Sequence, residues 1–173
     1  MRGLLATSTE AHESLPGDHL LQADHVDTAA VSLAAAPERV WPWLVQMGHG
    51  RAGWYAWDSL DNGGVPSAFS VRLDLQDLAE GDTVSARPGG GSLTVVQLRP
   101  AEALVYWTEA RLGSLRYAQS WAFVLRPEGE GTRLVVRNRA GWSALLMPAA
   151  RLVFRPVHGL MQRRQLVGLR QRV

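Results

Sequence analysis

Three groups of side chains in this chain have the types and spacing for chemistry or recognition. Trp54, Tyr55 and Trp57 stand beside Asp58, an aromatic cluster with a carboxylate. That composition suits a cavity mouth, where rings give apolar contact and a phenol or carboxylate fixes orientation. The same residues also fit plain packing of a short helix, with Asp58 and Asp61 capping it or paired with Arg51. Trp107 and Glu109 are two apart and share a face if the segment is a strand. A Glu next to a Trp in a dry cavity has its pKa raised and can work as a general acid or base, whereas at a strand end in water it does neither. The third group is two rows of period two: Trp121, Phe123 and Leu125, then Leu134, Val136 and Asn138. If a hairpin pairs Leu125 with Leu134, both rows face one side, Asn138 stands next to Trp121, and Arg133, Arg137 and Arg139 take the other face.

Other chemistries are excluded by spacing or composition. Gly48, Gly50 and Gly53 form a literal G-x-G-x-x-G, but it follows a helical pattern and leads into Trp54-Tyr55, where a dinucleotide loop needs a strand before it and a helix after it. Histidines at 12, 19, 25, 49 and 158 include no i, i+4 pair and no H-E-x-x-H, so no metal site is expected. A G-x-S-x-G nucleophile elbow is absent, and with no Cys there is no disulfide, zinc thiolate or Cys nucleophile. No cofactor is called for.

The elements that must position these residues read as follows. Residues 1 to 20 are polar and carry Pro16 and Gly17, a loosely ordered lead-in; residues 21 to 173 read as one domain. The run His25 to Leu33 is rich in Val and Thr and reads as a strand. Pro37 and Glu38 open a helix with Val40, Leu44 and Met47 on one face, Pro42 bends or restarts it, and Gly48 stops it. The piece beginning at Trp54 has Trp54, Trp57, Asp58 and Asp61 on one side if it is helical, and is ended by Asn62, Gly63 and Gly64. From Asp82 to Arg139, five short β-branched and aromatic runs alternate with turn pieces such as 87–91 and 126–131, an antiparallel meander. From Trp142 the chain is helical again, interrupted at Pro148 and Pro156, with Val157, Leu160, Met161 and Val167 as its apolar face. This order is α+β: a curved antiparallel β-sheet gripping a long C-terminal helix, with a hydrophobic cavity between them.

Composition sets the frame. A chain of 173 residues, 46% apolar and 20% charged, makes about one domain with a real core. All eighteen basic residues are Arg, against sixteen acids, a formal +2. The pI of 9.6 arises because a chain without Lys or Cys has almost nothing to titrate between His and Tyr. It therefore gives no argument for nucleic acid. Along the chain the charge is divided: residues 1 to 110 hold six Arg and fourteen acids, net −8, and residues 111 to 173 hold twelve Arg and two acids, net +10. Either the two parts neutralise each other across one surface, or the second docks something anionic. No window is long and apolar enough for membrane insertion, and the first ten residues lack a secretory pattern, so a cytoplasmic protein is expected.

The string from Trp41 to Gly48, followed by Gly50 to Tyr55 and Leu60-Asp61-Asn62, resembles a branch of the SRPBCC superfamily, the START-like or helix-grip proteins, on its polyketide cyclase-like side. Leu15 to Asp18, Glu80 to Val84, Ser120 to Leu125, Thr132 to Arg137 and Arg163-Arg164 extend the resemblance over residues 15 to 172. Arg155 and Gln162 depart from it, standing where the closing stretch of that branch usually looks acidic. The resemblance implies the helix-grip fold. The function expected is binding of a small, largely hydrophobic molecule, as carrier or sensor, with Trp54, Tyr55, Asp58, Trp107, Trp121, Phe123, Val136 and Asn138 around it. One alternative is a cyclase or aromatase with Asp58 or Glu109 as acid or base, and it requires two titratable side chains converging in the cavity. Another is an interaction module using the Arg-rich final stretch.

Overall fold

The computed structural model describes residues 4–149, 152–153 and 155–173. Its β-branched and aromatic runs become six strands: β1 (His25–Leu33), β2 (Thr83–Ser85), β3 (Ser92–Arg99), β4 (Ala103–Leu112), β5 (Leu115–Glu128) and β6 (Gly131–Trp142). They form one antiparallel sheet in the order β1-β6-β5-β4-β3-β2, so the first strand lies against the last. Leu125 pairs with Leu134, and that register puts Trp121 opposite Asn138 and Phe123 opposite Val136. Among the described residues the sheet is accompanied by the α-helices α1 (Ser8–His12), α2 (Pro37–Val45), α3 (Asp58–Asp61), α4 (Met147–Ala149) and α5 (Arg155–Arg170).

Local chemistry accounts for the helix ends. Pro37 opens α2, where its missing N–H costs nothing. The helix runs through Pro42 without restarting and ends three residues later, so little helix depends on the bond that Pro42 cannot make. Pro156 likewise sits in the first turn of α5 rather than breaking it. The inner face of the sheet is covered by α2 and α5. Val31, Leu104, Phe123, Leu134 and Val136 are fully buried there with Leu44, Met47, Leu166 and Leu169. Each such side chain stabilises the fold by roughly 1.5–3 kcal/mol.

The buried face of α5 differs from the expected apolar stripe. Val157 and Leu160 are exposed, and Met161 and Val167 are half-buried; the residues against the sheet are Gln162, Gln165, Leu166, Gly168 and Leu169. Two Gln on the inner face disguise the helical period, because a pattern search counts them as solvent-facing. Gly168 is required where the loop before α3 crosses the helix: a Cβ on it would lie 2.0 Å from the carbonyl oxygen of Tyr55.

Most of the segment expected to be a loose lead-in has a defined course over the outer face of the sheet. Thr7 and Glu10 form a reciprocal capping box on α1. Leu15 is buried with Ala30, Val124 and Val135 in a small second core. Glu10 accepts from Arg133 at 2.7 and 2.9 Å. Arg137 donates to Asp18 and to the carbonyl of Glu13 at 2.7 Å each. Arg126 meets Glu13 at 2.7 Å. The acidic front of the chain and the Arg of β5 and β6 thus neutralise each other here.

Candidate functional site

Between the inner face of the sheet and α5 lies a cavity of about 870 Å³. Trp54 and Trp121 form its inner wall, with ring centroids 5.2 Å apart. Tyr106 stands behind them, 6.1 Å from Trp54 and 6.5 Å from Trp121, and Phe123 lies 4.9 Å from Trp121. Phe123 and Val136 are fully buried beneath this wall and support it from the core. From α5, His158, Met161, Gln162 and Gln165 face the cavity, and from β5, Tyr117 and Gln119. Asp61, the last residue of α3, belongs to the same lining. Exposed Val153 and Val157 lie at the rim, with Arg87 across from them in the β2–β3 turn.

Buried polar atoms without a protein partner gather around this space. Among the described residues, the indole N–H of Trp54 and of Trp121, the Tyr106 hydroxyl, both side-chain polar atoms of Asn138, both carboxylate oxygens of Asp61 and the side-chain oxygens of Gln162 and Gln165 make no hydrogen bond. The two Gln amide groups are oriented by their nitrogens: Gln162 donates to the carbonyl of Val136 at 3.4 Å, and Gln165 to the sulfur of Met47 at 3.7 Å. Leaving a buried polar group unmade costs about 1–3 kcal/mol, so such a concentration calls for an explanation in ligand or water.

Burial also shifts the titratable groups of the lining. The Asp61 carboxyl is raised to about 6, first by burial and then by the neighbouring Asp58. Burial lowers the His158 imidazole to about 4, so it is neutral at physiological pH. The phenols of Tyr106 and Tyr117 are pushed up by burial and stay protonated.

The aromatic and strand residues singled out in the sequence are divided by the structure. Trp54 and Trp121 come together at the cavity, while Asn138, Phe123 and Val136 are fully buried behind them and do not line it. Tyr55 does not join them. It adopts φ +61°, and its hydroxyl donates to the carbonyl of Trp43 at 3.1 Å and accepts from Gln46 at 2.8 Å. Asp58 is no cavity acid either, because its carboxylate accepts from both the hydroxyl and the backbone N–H of Ser67, fixing the loop that follows α3. Arg51 pairs with neither Asp58 nor Asp61; it donates to the carbonyls of Val45 and Leu75.

Trp107 and Glu109 lie on the outer face. In the β4–β5 register Tyr106 opposes Trp121, while Trp107 opposes Ser120 and Glu109 opposes Ala118. Strand alternation therefore turns Tyr106 inward and its neighbour away. Asp61, His158, Gln162 and Gln165 line the cavity and Tyr106 lies behind it, none of them singled out in the sequence as a site residue. Only the fixed parity of β4 relative to β5 would have found Tyr106, and nothing local marks the Gln pair. The G-x-G-x-x-G segment is a closed turn in which Gly48 and Gly53 exchange backbone hydrogen bonds at 3.1 and 3.0 Å, leaving no open anion cradle.

A second depression, about 600 Å³, lies on the outer face beside Glu13, Asp18, Arg137 and Arg139. Asp18 is paired with both Arg, so most of its charge is already neutralised.

No protein-family model matches the chain, and no curated protein matches it. Its fold is similar to that of several solved structures. The Mll3558 protein from Rhizobium loti is 18% identical, with 86% of this chain and 96% of that one covered at a TM-score of 0.51. CV1439 from Chromobacterium violaceum is 16% identical, covering 84% and 94% at 0.51. A protein from Arthrobacter aurescens is 14% identical, covering 86% and 90% at 0.52. At these identities the likeness establishes a shared fold and nothing finer.

Proposed function

We propose that this domain binds a small molecule in the cavity between sheet and α5, as a carrier or sensor of helix-grip type. The observation that carries the reading is the set of buried, unpartnered polar atoms around one aromatic-walled space. A volume of this size suits a drug-sized molecule, whose apolar body the rings would take. The indole N–H groups of Trp54 and Trp121 would bind its acceptors, and the Gln162 and Gln165 oxygens its donors. The resemblance to START-like proteins supports the same reading. The guest is thus more polar on one side than the sequence alone suggests.

Native mass spectrometry of the protein purified from cells tests this. The expected result is a small-molecule mass that disappears on denaturation and is reduced in Trp121→Phe, which removes an indole N–H from the lining and whose fold is checked by circular dichroism. A protein that carries no such mass, and whose Trp fluorescence is unmoved by a panel of fused-ring and acyl compounds, overturns the reading.

One observation favours a second reading, acid–base catalysis of cyclase type. Asp61 and His158 both line the cavity, and the two are shifted toward neutral pH forms, a protonated acid up to about pH 6 and a free imidazole base. Turnover of a bound carbonyl compound that survives in both Asp61→Asn and His158→Gln would remove it.

A further inference from the structure

Asp61 is 3% exposed, lines the cavity, and neither carboxylate oxygen has a hydrogen-bond partner among the described residues. An ionised carboxylate in that position is costly unless a positive charge reaches it. Of the protein's own cationic groups, His49 acts on Asp61 from the preceding turn, Arg87 is exposed at the rim, and the two part-buried Arg are committed elsewhere. Arg51 is held by the carbonyls of Val45 and Leu75, and Arg172 by those of Ser67, Ala68 and Gly168, with its guanidinium over the rings of Tyr55 and Phe69. The wall shared with Asp61 is made of Trp54, Trp121, Tyr117 and Trp142, whose ring faces carry the negative side of their quadrupoles.

We propose that the ligand carries a positively charged nitrogen, an ammonium or a protonated ring nitrogen, for which Asp61 is the counter-ion and the Trp-lined wall the cation–π surface. This rests on the ligand-binding reading above and names the charge of its guest. Asp61 belongs to the lining of the cavity, so a charged group of the guest can approach its carboxylate there. Asp58 from the same helix, His49 from the preceding turn, and Arg87, Tyr117 and His158 around the cavity are the other charged or titratable groups facing this region. Asp58 is already satisfied by Ser67, and Arg87 is exposed at the rim.

Two probes of one shape separate charge from apolar fit: 1-naphthylmethylamine, an ammonium at neutral pH, and 1-naphthylmethanol, its uncharged counterpart. Calorimetric titration into the whole chain should show the ammonium binding about tenfold or more tighter than the alcohol. That preference should vanish in Asp61→Asn with the alcohol's affinity kept. In the unmodified chain and in His49→Gln alike, it should fall as pH drops through about 6, where Asp61 takes a proton. The pH series decides the matter even if Asp61→Asn does not fold. Equal affinities for the two probes, or a preference that survives in Asp61→Asn, overturn the charge assignment and leave ligand binding standing. Failure of both probes to bind overturns the charge assignment, and the native mass spectrum then shows whether the broader reading falls with it.

Discussion

Gly168 and Asp61 show how much a single position can settle. Ala at 168 would put a methyl group 2.0 Å from the Tyr55 carbonyl, where Tyr55 itself sits at φ +61° with its hydroxyl held by two bonds. Gly168→Ala should therefore lower stability by about 2 kcal/mol or more, read as an earlier urea midpoint. Asp61 acts in the opposite sense. Its folded pKa of about 6 lies above the unfolded carboxylate range, so the native state favours the protonated form. That advantage is present below about pH 4 and lost as pH rises through 6. Asp61→Asn should raise the melting temperature at pH 7.5 and leave it nearly unchanged at pH 4, by calorimetry across the series. The turn at 126–131 fixes one hairpin register, and with it the two rows of side chains that hold Trp121 and Asn138; Trp54 lies outside that hairpin. Trp107 was misplaced because alternation says which residues share a face and not which face is inward.

At the scale of elements, strands read more clearly than the closing helix. Every strand of the meander follows from β-branched runs cut by Pro and Gly, and the five runs expected between Asp82 and Arg139 are β2 to β6, from Thr83 to Trp142. α5 was harder, since its inner face carries Gln162 and Gln165 while Val157 and Leu160 are left outside. Propensity cannot reveal a polar residue on the buried face of a helix. The structure predicts a trade between stability and binding at these positions. Replacing Gln162 with Leu removes a buried oxygen without a partner and gives up only a long bond to Val136, so stability should rise by up to about 1 kcal/mol. Retention of small molecules in the native mass spectrum should fall. Unchanged retention in both Gln162→Leu and Gln165→Leu would mean that α5 only closes the cavity and does not read its contents.

For the whole molecule, the division of charge along the sequence turns out to be a contact map. The fourteen acids before residue 111 include Glu10, Glu13 and Asp18, and the later Arg include 126, 133 and 137, which meet them across the outer face. The bond from Arg133 holds the Glu10 carboxyl near 2, well below its unfolded range. Its contribution is complete above about pH 4.5 and is lost as pH falls toward 2. Arg133→Ala, which leaves Glu10 buried and alone, should cost about 3 kcal/mol at neutral pH and progressively less in acid, by denaturant titration at several pH values. These contacts also bear on the order of assembly. Glu10 and Arg133 are 123 residues apart, Asp18 and Arg137 are 119 apart, and β1 has no neighbour in the sheet except β6. During synthesis β1 must therefore wait for its partner strand, with only its bridge to Leu5 available from the chain before it, until β6 has left the ribosome. The hairpins from β2 to β6 can form meanwhile, and the front of the chain is the last part of the sheet to find its place.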